Sequence, residues 1–516
     1  MTLLKTEVLI IGGGVTGTGV ARDLALRGVN CILVEKNDIN SGASGGNHGL
    51  LHSGARYVSK DFESARSCRK EGELLKRLAP HCINNTGGLF VAVEGDSENF
   101  IANFPHFCEK CGIPAKKIGF SEARALEPTL SKKMIAAFAV EDGTVDPFRL
   151  SMENIAQAQA LGSMLLCHTK VTEFKIRNRR IATIRLINQN TGEKTLVEAK
   201  CIVNATGAWA GEITEMAGIS INVVLSKGSL LITQKRITKH VINRLRPPAD
   251  ADILVPGGTV SVLGTTSTRV DSLDNIRPSV AEVEAIIEDG AEMIPVLGTT
   301  RYLRAFSGVR PLISKGGSGD DRAVSRDLAL FDHSENQVHN FLTISGGKLT
   351  TFREMAEKAS DMACQKIGID KPCLTAIEPL PQSRKWSVPG ISPKTWLKQN
   401  DPQDVLLCEC EMVPKSAVDQ VIDYITVNNK KELAHLSDIG VRSRVGRGSC
   451  QGTFCGVRIA AHMYNEGKMS ENQGLENIRQ FLQERWKGQQ PVLWGAQLSQ
   501  AEMAEAIHCG FFGIEL

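Results

Sequence analysis

The feature that most constrains the fold is the stretch "EVLIIGGGVTGTGVARDLALRGVNCILVE", residues 7–35. An apolar run from Val8 to Ile11 predicts a strand, and a helical stretch follows the glycines until about Gly28. A second apolar run, 31–34, ends at Glu35. The order of strand, glycine turn, helix, strand and acid predicts the start of a doubly wound α/β domain that binds a dinucleotide.

Each glycine of the G-x-G-x-x-G pattern has a separate physical role. Gly12 permits the tight turn, Gly14 lets the backbone approach a pyrophosphate, and Gly17 allows the helix to pack on the strand. The helix start then offers free N–H groups to the phosphates. Glu35 is placed to accept hydrogen bonds from ribose hydroxyls, which favours FAD or NAD over NADP. A purely structural glycine-rich turn is the alternative.

Two later segments favour FAD over NAD. The segment "SGASGGNHGLLHSGARY" (41–57) supplies Ser41, Ser44 and Gly45, whose main-chain donors can crowd a flavin or its phosphates. A flexible loop tip is the other interpretation of that segment. In the segment "VNATGAWA" (203–210) a predicted apolar strand ends at Ala205 to Gly207. A second strand that ends in this way could bring its backbone beneath the dinucleotide.

Four short segments place cations beside glycine or aromatic residues: "HSGARY", "SGVRPL", "VSRDL" and "ISGGKLTTFRE". Such cations are usually solvated or salt-bridged. In "SGVRPL" and "SGGKLTTF", however, the charged residue stands among apolar residues and glycines. Burying a charge there without a partner would cost several kcal/mol. A ligand anion or a flavin oxygen would pair it, and several cations are expected around a phosphate monoester. The residues concerned are Arg56, Tyr57, Arg310, Arg326 and Lys348, with Gly346 and Gly347 beside Lys348 as expected cofactor contacts.

Composition excludes several classes of protein. The chain has 516 residues, which suggests two to four domains, and a formal net charge of +3 without a long basic run, which does not indicate nucleic-acid binding. No stretch of 18 uncharged apolar residues predicts a transmembrane helix. Fourteen cysteines without a recognisable secretion signal favour free thiols in a reducing compartment.

Four cysteines near the end of the chain form a candidate metal site. Cys408 and Cys410 lie in "LLCECEM", and Cys450 and Cys455 lie in "GSCQGTFCG". Four thiolates in two close pairs can hold a two-iron cluster. A structural zinc ion and unliganded thiols are the alternatives. The arginines of "RSRVGRG" are expected beside the sulfurs, where they would offset the charge of a cluster.

The composition of the chain also indicates domain boundaries. Residues 1–375 are predicted to form the FAD-dependent oxidoreductase domain with its substrate-binding parts, and residues 376–404, rich in Pro, Ser, Lys and Asp, a linker. Residues 405–470 are predicted to form the cysteine-bearing domain, and residues 471–516 a tail. Trp486 and Trp494 in the tail fit either a docking surface or simple packing.

These motifs together resemble one family. "GGGVTGTGVARD", "GGNHGLLHSGARY", "DGTVDPFRL", "KGSLLI", "PADADILVPGG", "SGVRPL" and "SGGKLTTFR" are similar to segments of the FAD-dependent glycerol-3-phosphate dehydrogenases. The cysteines and "FLQERWKGQQPVLWG" (481–495) resemble the A subunits of the anaerobic bacterial enzymes of that family. The resemblance implies a fold of the glycine oxidase type, in which a doubly wound FAD domain carries an antiparallel β substrate domain.

The resemblance also implies an activity and a set of site residues. The family oxidises sn-glycerol 3-phosphate to dihydroxyacetone phosphate and passes electrons onward to a membrane quinone. By motif, Arg56, Tyr57, Arg310, Arg326 and Lys348 would surround the substrate, with Arg310 and Lys348 also taking part in catalysis. His52 is a candidate proton acceptor, although a lone histidine is more often structural.

The cysteine segment resembles the bacterioferritin-associated ferredoxin type of 2Fe-2S module, a small helical fold. It departs from that module in the C-x-x-x-x-C spacing of the closing pair and in its longer middle gap. The family implies a heterotrimer that also contains a flavin-bearing B subunit, together with a membrane-associated iron-sulfur C subunit. It further implies a peripheral position on the cytoplasmic side of the bacterial inner membrane.

Two other functions remain open at this point. A flavin oxidase or dehydrogenase of amino or hydroxy acids would share the FAD frame, and preference for phosphate over carboxylate separates it from the first interpretation. A module that only docks electron-transfer partners would leave the amino-terminal FAD frame unexplained.

Overall fold

The structure is a computed structural model that describes residues 2–313, 328–381, 401–428, 434–469 and 471–516. Its strands are β1 (Thr2–Ile11), β2 (Cys31–Val34), β3 (Leu50–Leu51), β4 (Ile83–Asn84), β5 (Gly88–Val93), β6 (Ala115–Ile118), β7 (Met134–Val140), β8 (Gly143–Val145), β9 (Met164–Leu166), β10 (Thr169–Arg177), β11 (Arg180–Asn188), β12 (Lys194–Asn204), β13 (Val223–Thr233), β14 (Val241–Arg244), β15 (Ile253–Pro256), β16 (Ser261–Gly264), β17 (Thr268–Arg269), β18 (Tyr302–Ile313), β19 (Leu328–Asp332), β20 (Phe341–Gly346), β21 (Leu406–Cys408) and β22 (Val413–Pro414). Its helices are α1 (Val15–Leu26), α2 (Phe62–Leu78), α3 (Glu98–Lys110), α4 (Phe120–Leu126), α5 (Pro147–Ala160), α6 (Ala210–Glu215), α7 (Val280–Met293), α8 (Phe352–Ile367), α9 (Lys415–Asn428), α10 (Leu436–Ser443), α11 (Cys455–Asn465), α12 (Glu471–Gln489) and α13 (Ala496–Phe512).

The first sheet has eight strands with a parallel centre in the order β20-β12-β1-β2-β9. The β10-β11 hairpin adds antiparallel to the first half of β12, and β19 adds antiparallel to β20. Side chains alternate between two buried faces along β1, as a sheet covered on both sides requires. Val8 and Ile10 pack in one core with α1, α5 and α8, whereas Leu9 and Ile11 pack in the other.

The second sheet has nine strands and is largely antiparallel, in the order β17-β13-β16-β15-β14-β5-β7-β6 with β18 paired to β13. Its core includes Leu231, Leu254 and Leu263, and it is covered by α7. A capping box starts α7, because the Ser279 side chain accepts from Glu282 N–H and the Glu282 carboxylate accepts from Ser279 N–H. A parallel-centred sheet with a largely antiparallel sheet is the arrangement that the sequence predicts.

The last described part of the chain is helical. Helices α9 to α12 and the β21-β22 pair share one core that includes Cys408, Cys455 and Phe481. We call residues 401–428, 434–469 and 471–489 the cysteine module. Its predicted end at residue 470 falls inside this core, since Phe481 of α12 packs there. Most of the predicted linker, residues 382–400, lies outside the described residues.

Two chain-wide properties follow from the described residues. No helix among them is both long and apolar enough to cross a membrane. All fourteen cysteines lie in the described part of the chain, and none of them forms a disulfide bond there.

Candidate functional site

The glycine turn forms where β1 meets α1. Gly12 has φ +110°, and a Cβ there would lie 2.6 Å from the carbonyl oxygen of Ala205. A Cβ on Gly17 would lie 1.9 Å from the carbonyl oxygen of Gly12. Only glycine therefore lets α1 start directly over the ends of β1 and β12. The first amide of α1, Val15 N–H, donates to Ser44 Oγ at 2.9 Å.

Glu35 directly follows the last residue of β2 and lies beside the same turn. Its Oε2 accepts from Gly13 N–H at 2.7 Å, and its Oε1 accepts from Asn37 N–H at 2.9 Å. Burial raises the pKa of Glu35, and these two hydrogen bonds oppose that rise. The two amides fix the carboxylate at the rim of the turn, where a ribose would lie.

A cavity of about 320 Å³ opens over this turn and extends between the two sheets. We call it the first cavity, and its volume falls in the range of roughly 300–1,000 Å³ that is typical of small-molecule sites. It collects most of the residues predicted from sequence: Gly12, Gly14, Glu35, Ser41, Ser44, His52, Arg56, Tyr57, Ala205, Gly207, Arg310, Gly346, Gly347 and Lys348.

Two predicted cofactor-binding residues do not line the first cavity, and one predicted substrate-binding residue is not described. Gly17 lies behind the turn, where it serves the packing of α1. Gly45 lies on the far side of its loop, where a Cβ would be 2.3 Å from the Asn40 carbonyl oxygen. Arg326 falls outside the described residues.

The polar end of the first cavity holds two cations in fixed positions. Arg310, on β18, donates from Nη2 to Thr265 Oγ1 at 3.0 Å and to the carbonyl oxygen of Thr266. The Lys348 Nζ donates to Ser64 Oγ at 2.6 Å and lies 4.6 Å from the ring centroid of Tyr57. Because these hydrogen bonds already hold the Arg310 and Lys348 side chains in place, the two side chains lose little conformational entropy when an anion binds.

A histidine-tyrosine pair lies beside these cations. The His52 Nε2 and the Tyr57 hydroxyl are 3.5 Å apart, and their ring centroids are 5.3 Å apart. His48 also lines the cavity, with its ring centroid 6.2 Å from that of His52. The site thus contains a group able to accept a proton next to groups able to hold an anion.

Arg56 has a local partner that the sequence did not reveal. Its Nη2 lies 3.0 Å from Asp252 Oδ2, and Asp252 also pairs with Arg246 at 2.8 Å. Much of its charge is therefore balanced within the protein.

Arg353, close in sequence to Lys348, forms a buried two-point ion pair with Glu71, with N–O distances of 2.7 and 2.8 Å.

Several lining residues were not predicted. Trp209, Thr265 and Gly308 all line the first cavity. A Cβ on Gly308 would lie 2.1 Å from the Gly46 carbonyl oxygen, so the glycine-rich loop 41–49 meets strand β18 there. The glycines in "GGNHG" and "SGVRPL" could have indicated this close contact from the sequence. No sequence pattern indicated that Trp209 and Thr265 line the cavity.

The four predicted ligand cysteines come together in the cysteine module. The thiol of Cys455 hydrogen-bonds with those of Cys408 and Cys450, and Cys410 hydrogen-bonds with Cys450. The Cys455 bond lowers the pKa of Cys408 to about 7 and that of Cys450 to about 5. Within the described ranges, no group of three or more His, Cys, Asp or Glu is arranged to hold a single metal ion.

The arginines between the two cysteine pairs contact the amino-terminal domain. Arg442 makes a two-point ion pair with Asp38, with an Nη2–Oδ1 distance of 2.6 Å. Arg444 lies 3.2 Å from Asp146 and 2.9 Å from Glu411, which follows Cys410. Arg447 stacks 3.4 Å from the ring centroid of Phe148. The three side chains join the cysteine module to the domain that contains the first cavity.

The groups that line the first cavity are those expected of a site for FAD. The glycine turn leaves room for a pyrophosphate, the helix start offers amides, and Glu35 lies at the expected ribose position. Gly346 and Gly347, with φ of +79° and +70°, bring a second glycine turn to the cavity. Arg310 and Lys348 lie in the same cavity, so the glycine turn, Glu35 and the two cations face one continuous space.

Comparison with known proteins agrees with this geometry. Residues 7–361 match the family described as FAD dependent oxidoreductase. The chain is 42% identical to the A subunit of the anaerobic glycerol-3-phosphate dehydrogenase of Escherichia coli (strain K12), over 99% of this chain and 97% of that protein. It is 39% identical to the protein of the same name from Haemophilus influenzae, over 100% and 94% of the two chains.

Solved structures confirm the predicted fold class. The glycerol-3-phosphate dehydrogenase from Bacillus halodurans complexed with FAD superposes with a TM-score of 0.65 at 20% identity, covering 95% of this chain and 96% of the other. Glycine oxidase from Geobacillus kaustophilus gives a TM-score of 0.58 at 19% identity, covering 74% and 99%. The chain belongs to the FAD dependent oxidoreductase family and, within it, to the A subunits of the anaerobic glycerol-3-phosphate dehydrogenases.

Proposed function

We propose that this chain oxidises sn-glycerol 3-phosphate to dihydroxyacetone phosphate with FAD as the first electron acceptor. The observation that carries the proposal is the first cavity, which brings the glycine turn and Glu35 together with Arg310 and Lys348. The names of the relatives support the same substrate. Two ordered cations suit a phosphate monoester, which carries nearly two negative charges, better than a single carboxylate.

The reaction removes a hydride from the secondary carbinol carbon and a proton from its hydroxyl group. FAD, when bound, supplies the acceptor for the hydride. Arg310 and Lys348 hold the substrate anion and fix the carbinol in the cavity. Both cations also supply the positive environment that favours negative charge as it develops. His52 takes the hydroxyl proton, and Tyr57 orients the His52 Nε2 from 3.5 Å.

A comparison of substrates tests this proposal. The purified chain with FAD is assayed with an artificial electron acceptor and sn-glycerol 3-phosphate, glycerol, glycine, L-proline or L-lactate. We expect turnover with the phosphate ester alone, because glycerol lacks the anion that the two cations bind. Turnover with the amino or hydroxy acids, and none with the phosphate ester, would instead support the alternative oxidase or dehydrogenase.

We further propose that Cys408, Cys410, Cys450 and Cys455 hold a 2Fe-2S cluster that receives electrons from the flavin one at a time. The hydrogen bonds that link Cys408, Cys455, Cys450 and Cys410 in series support this ligand set, since each thiol lies next to another of the four. The ion pairs of Arg442 and Arg444 support a fixed position of the cysteine module beside the flavin domain. FAD takes two electrons together, so a one-electron centre next to it would divide the pair.

Metal analysis separates the cluster from zinc. The chain is purified without oxygen, and iron, acid-labile sulfide and zinc are measured per protein. We expect about two irons and two sulfides per chain. One zinc and no sulfide would establish the structural zinc site instead, and neither metal would leave four free thiols.

The relatives are named as one component of a larger enzyme, which supports a multi-subunit assembly. We propose that the partners are a flavin-bearing B subunit, together with a membrane-associated iron-sulfur C subunit, which pass the electrons to a membrane quinone. The chain would then lie peripherally on the cytoplasmic side of the bacterial inner membrane. Membrane fractionation in the presence and absence of the co-expressed partners tests this: we expect membrane attachment only with them.

A further inference from the structure

A second cavity lies between the first cavity and the cysteine module. Its volume is about 1120 Å³. The loop 41–48, Trp209 and Gly308 contribute residues to the walls of both cavities. On the opposite side the second cavity reaches Cys410 and Glu411. It therefore occupies the space between the proposed flavin site and the proposed cluster.

The lining of the second cavity carries an excess of positive charge. Six arginines face three carboxylates, which leaves three positive charges: Arg149, Arg236, Arg304, Arg444, Arg447 and Arg485 against Asp146, Glu411 and Glu484. Arg444 pairs with both Asp146 and Glu411. Glu484, the remaining carboxylate, has a side chain that is 67% exposed and lies 3.9 Å from Arg304 Nη2. Arg149 has a carboxylate partner outside the lining, since its Nε lies 3.9 Å from Glu153 Oε1. The other four arginines have Glu484 as the remaining carboxylate among the described lining residues.

Three of these guanidinium groups are incompletely bonded. The Nε atoms of Arg149, Arg304 and Arg485 are buried and have no hydrogen-bond partner among the described residues. Arg485 stacks 4.9 Å from the ring centroid of Phe481, and the negative groups that act on its charge are Glu484, Cys450 and Cys455. Burial, followed by the like charge of Arg304, lowers the pKa of Arg485 to about 9. Arg304 and Arg485 thus repel each other at the edge of the second cavity.

An arrangement of this kind stabilises a bound anion. Positive charge in a partly buried space costs free energy, and an anion bound in the second cavity would offset the excess charge of its lining. Guanidinium groups bind phosphate oxygens in pairs, and several of them suit a dianion. The aromatic rings of Phe148, Trp209 and Phe481 add flat apolar surface to the same walls.

We propose that the second cavity is a separate binding site for a phosphate ester, held by Arg304, Arg485 and Arg447. The assignment does not depend on which substrate the first cavity oxidises. Two sources share this chemistry: a second molecule of a small phosphorylated metabolite, and a mononucleotide whose ring would use the aromatic walls. A ligand here would touch both the loop of the flavin site and the loop that carries Cys410.

Isothermal titration of the full chain with FAD tests the proposal, with inorganic phosphate as the probe. All measurements use an Arg310→Ala background, which weakens phosphate binding in the first cavity. We expect one remaining site, and we expect the added pair Arg304→Gln and Arg485→Gln to weaken it about 100-fold, at roughly tenfold for each guanidinium. Arg458→Gln, an exposed arginine paired with Glu409, is the matched control and should change the affinity less than about twofold.

Phosphate binding that is absent in the Arg310→Ala background, or unchanged by the two added glutamines, would overturn the proposal. If the double glutamine variant loses its flavin or its melting transition, the pair Arg304→Lys and Arg485→Lys replaces it. Those lysines keep the charge but lose the planar fork, so we expect binding to weaken several-fold; equal affinity would contradict the site. Tighter binding of adenosine 5′-monophosphate than of phosphate indicates a mononucleotide, and tighter binding of sn-glycerol 3-phosphate indicates the smaller metabolite.

Discussion

At the scale of single residues, each described cation that the sequence predicts at the substrate has a partner within the protein. Arg310 donates to Thr265 and to the carbonyl of Thr266, and Lys348 donates to the hydroxyl of Ser64. Arg56 is paired with a carboxylate, Asp252, which also pairs with Arg246. Arg310 and Lys348 line the first cavity together, so we choose them as the candidates for binding a substrate anion.

Replacing Arg310 with Ala should raise the KM for sn-glycerol 3-phosphate about tenfold to a hundredfold, because a hydrogen bond to a charged group is worth about 1.5–3 kcal/mol. The flavin content per chain should not change. Arg56→Ala is the matched comparison and should affect stability more than KM, since it leaves Asp252 with one cation fewer. Equal KM values for wild type and Arg310→Ala would contradict the assigned role.

Replacing His52 with Gln should lower kcat by about 10²–10⁴ if this residue takes the substrate proton, with a smaller change in KM. The pH dependence of kcat should also lose its acidic limb, because that limb would report the protonation of the base. His48→Gln serves as the control, because His48 lies in the same cavity with its ring centroid 6.2 Å from that of His52. A retained pH profile in His52→Gln would assign the proton transfer to another group.

At the scale of elements, α10 joins the cysteine module to the first sheet. The ion pair between Arg442 and Asp38 is almost fully buried, with side chains 4% and 6% exposed. His168, just after β9, lies 3.4 Å from Asp438 of the same helix. The loop after β2 is thereby fixed between the flavin site and the cysteine module.

Replacing Arg442 with Met should cost about 3–5 kcal/mol of stability, because Asp38 would remain buried without its counter-charge. Thermal unfolding monitored by circular dichroism measures the loss. Arg458→Met, which breaks the exposed pair with Glu409, should cost no more than about 1 kcal/mol. Similar melting temperatures for the two variants would show that the buried pair does not hold the module in place.

The sequence was most informative where structure is local. The turn of Gly12, Gly14 and Gly17 was predictable because its geometry depends on a few adjacent residues and on the absence of a Cβ. The partners of Arg442 and Arg444 were not predictable, because Asp38 and Asp146 are about 400 and 300 positions away in the chain. The sequence therefore predicts these arginines beside the sulfurs, whereas the fold pairs Arg442 and Arg444 with carboxylates of the flavin domain.

At the scale of the whole molecule, the two proposed redox sites lie on opposite sides of one loop. Residues 41–48 wall the first cavity on one side and the second cavity on the other, and the second cavity extends to Cys410. Sequence could not reveal this space, since Arg304, Arg447 and Arg485 come from β18, a turn and α12. The tertiary arrangement thus supports transfer of electrons from the flavin to the cysteine module within one chain.

Replacing Cys450 with Ser should remove the cluster while it leaves flavin reduction intact. We expect loss of iron and sulfide, normal FAD content and normal reduction by substrate, because Cys450 lies in the module outside the first cavity. Reoxidation by the membrane quinone, assayed with the partner subunits, should fall to background. Cys509→Ser, a free cysteine on α13, is the control and should change none of these properties.

The most direct measurement is an anaerobic visible spectrum of the purified chain before and after addition of sn-glycerol 3-phosphate. We predict that the flavin absorbance bleaches with this substrate, and that an underlying cluster absorbance falls with it. A yellow protein that ignores the phosphate ester and bleaches with an amino or hydroxy acid would contradict the proposed substrate. A colourless protein that binds no added FAD would contradict the flavin site itself.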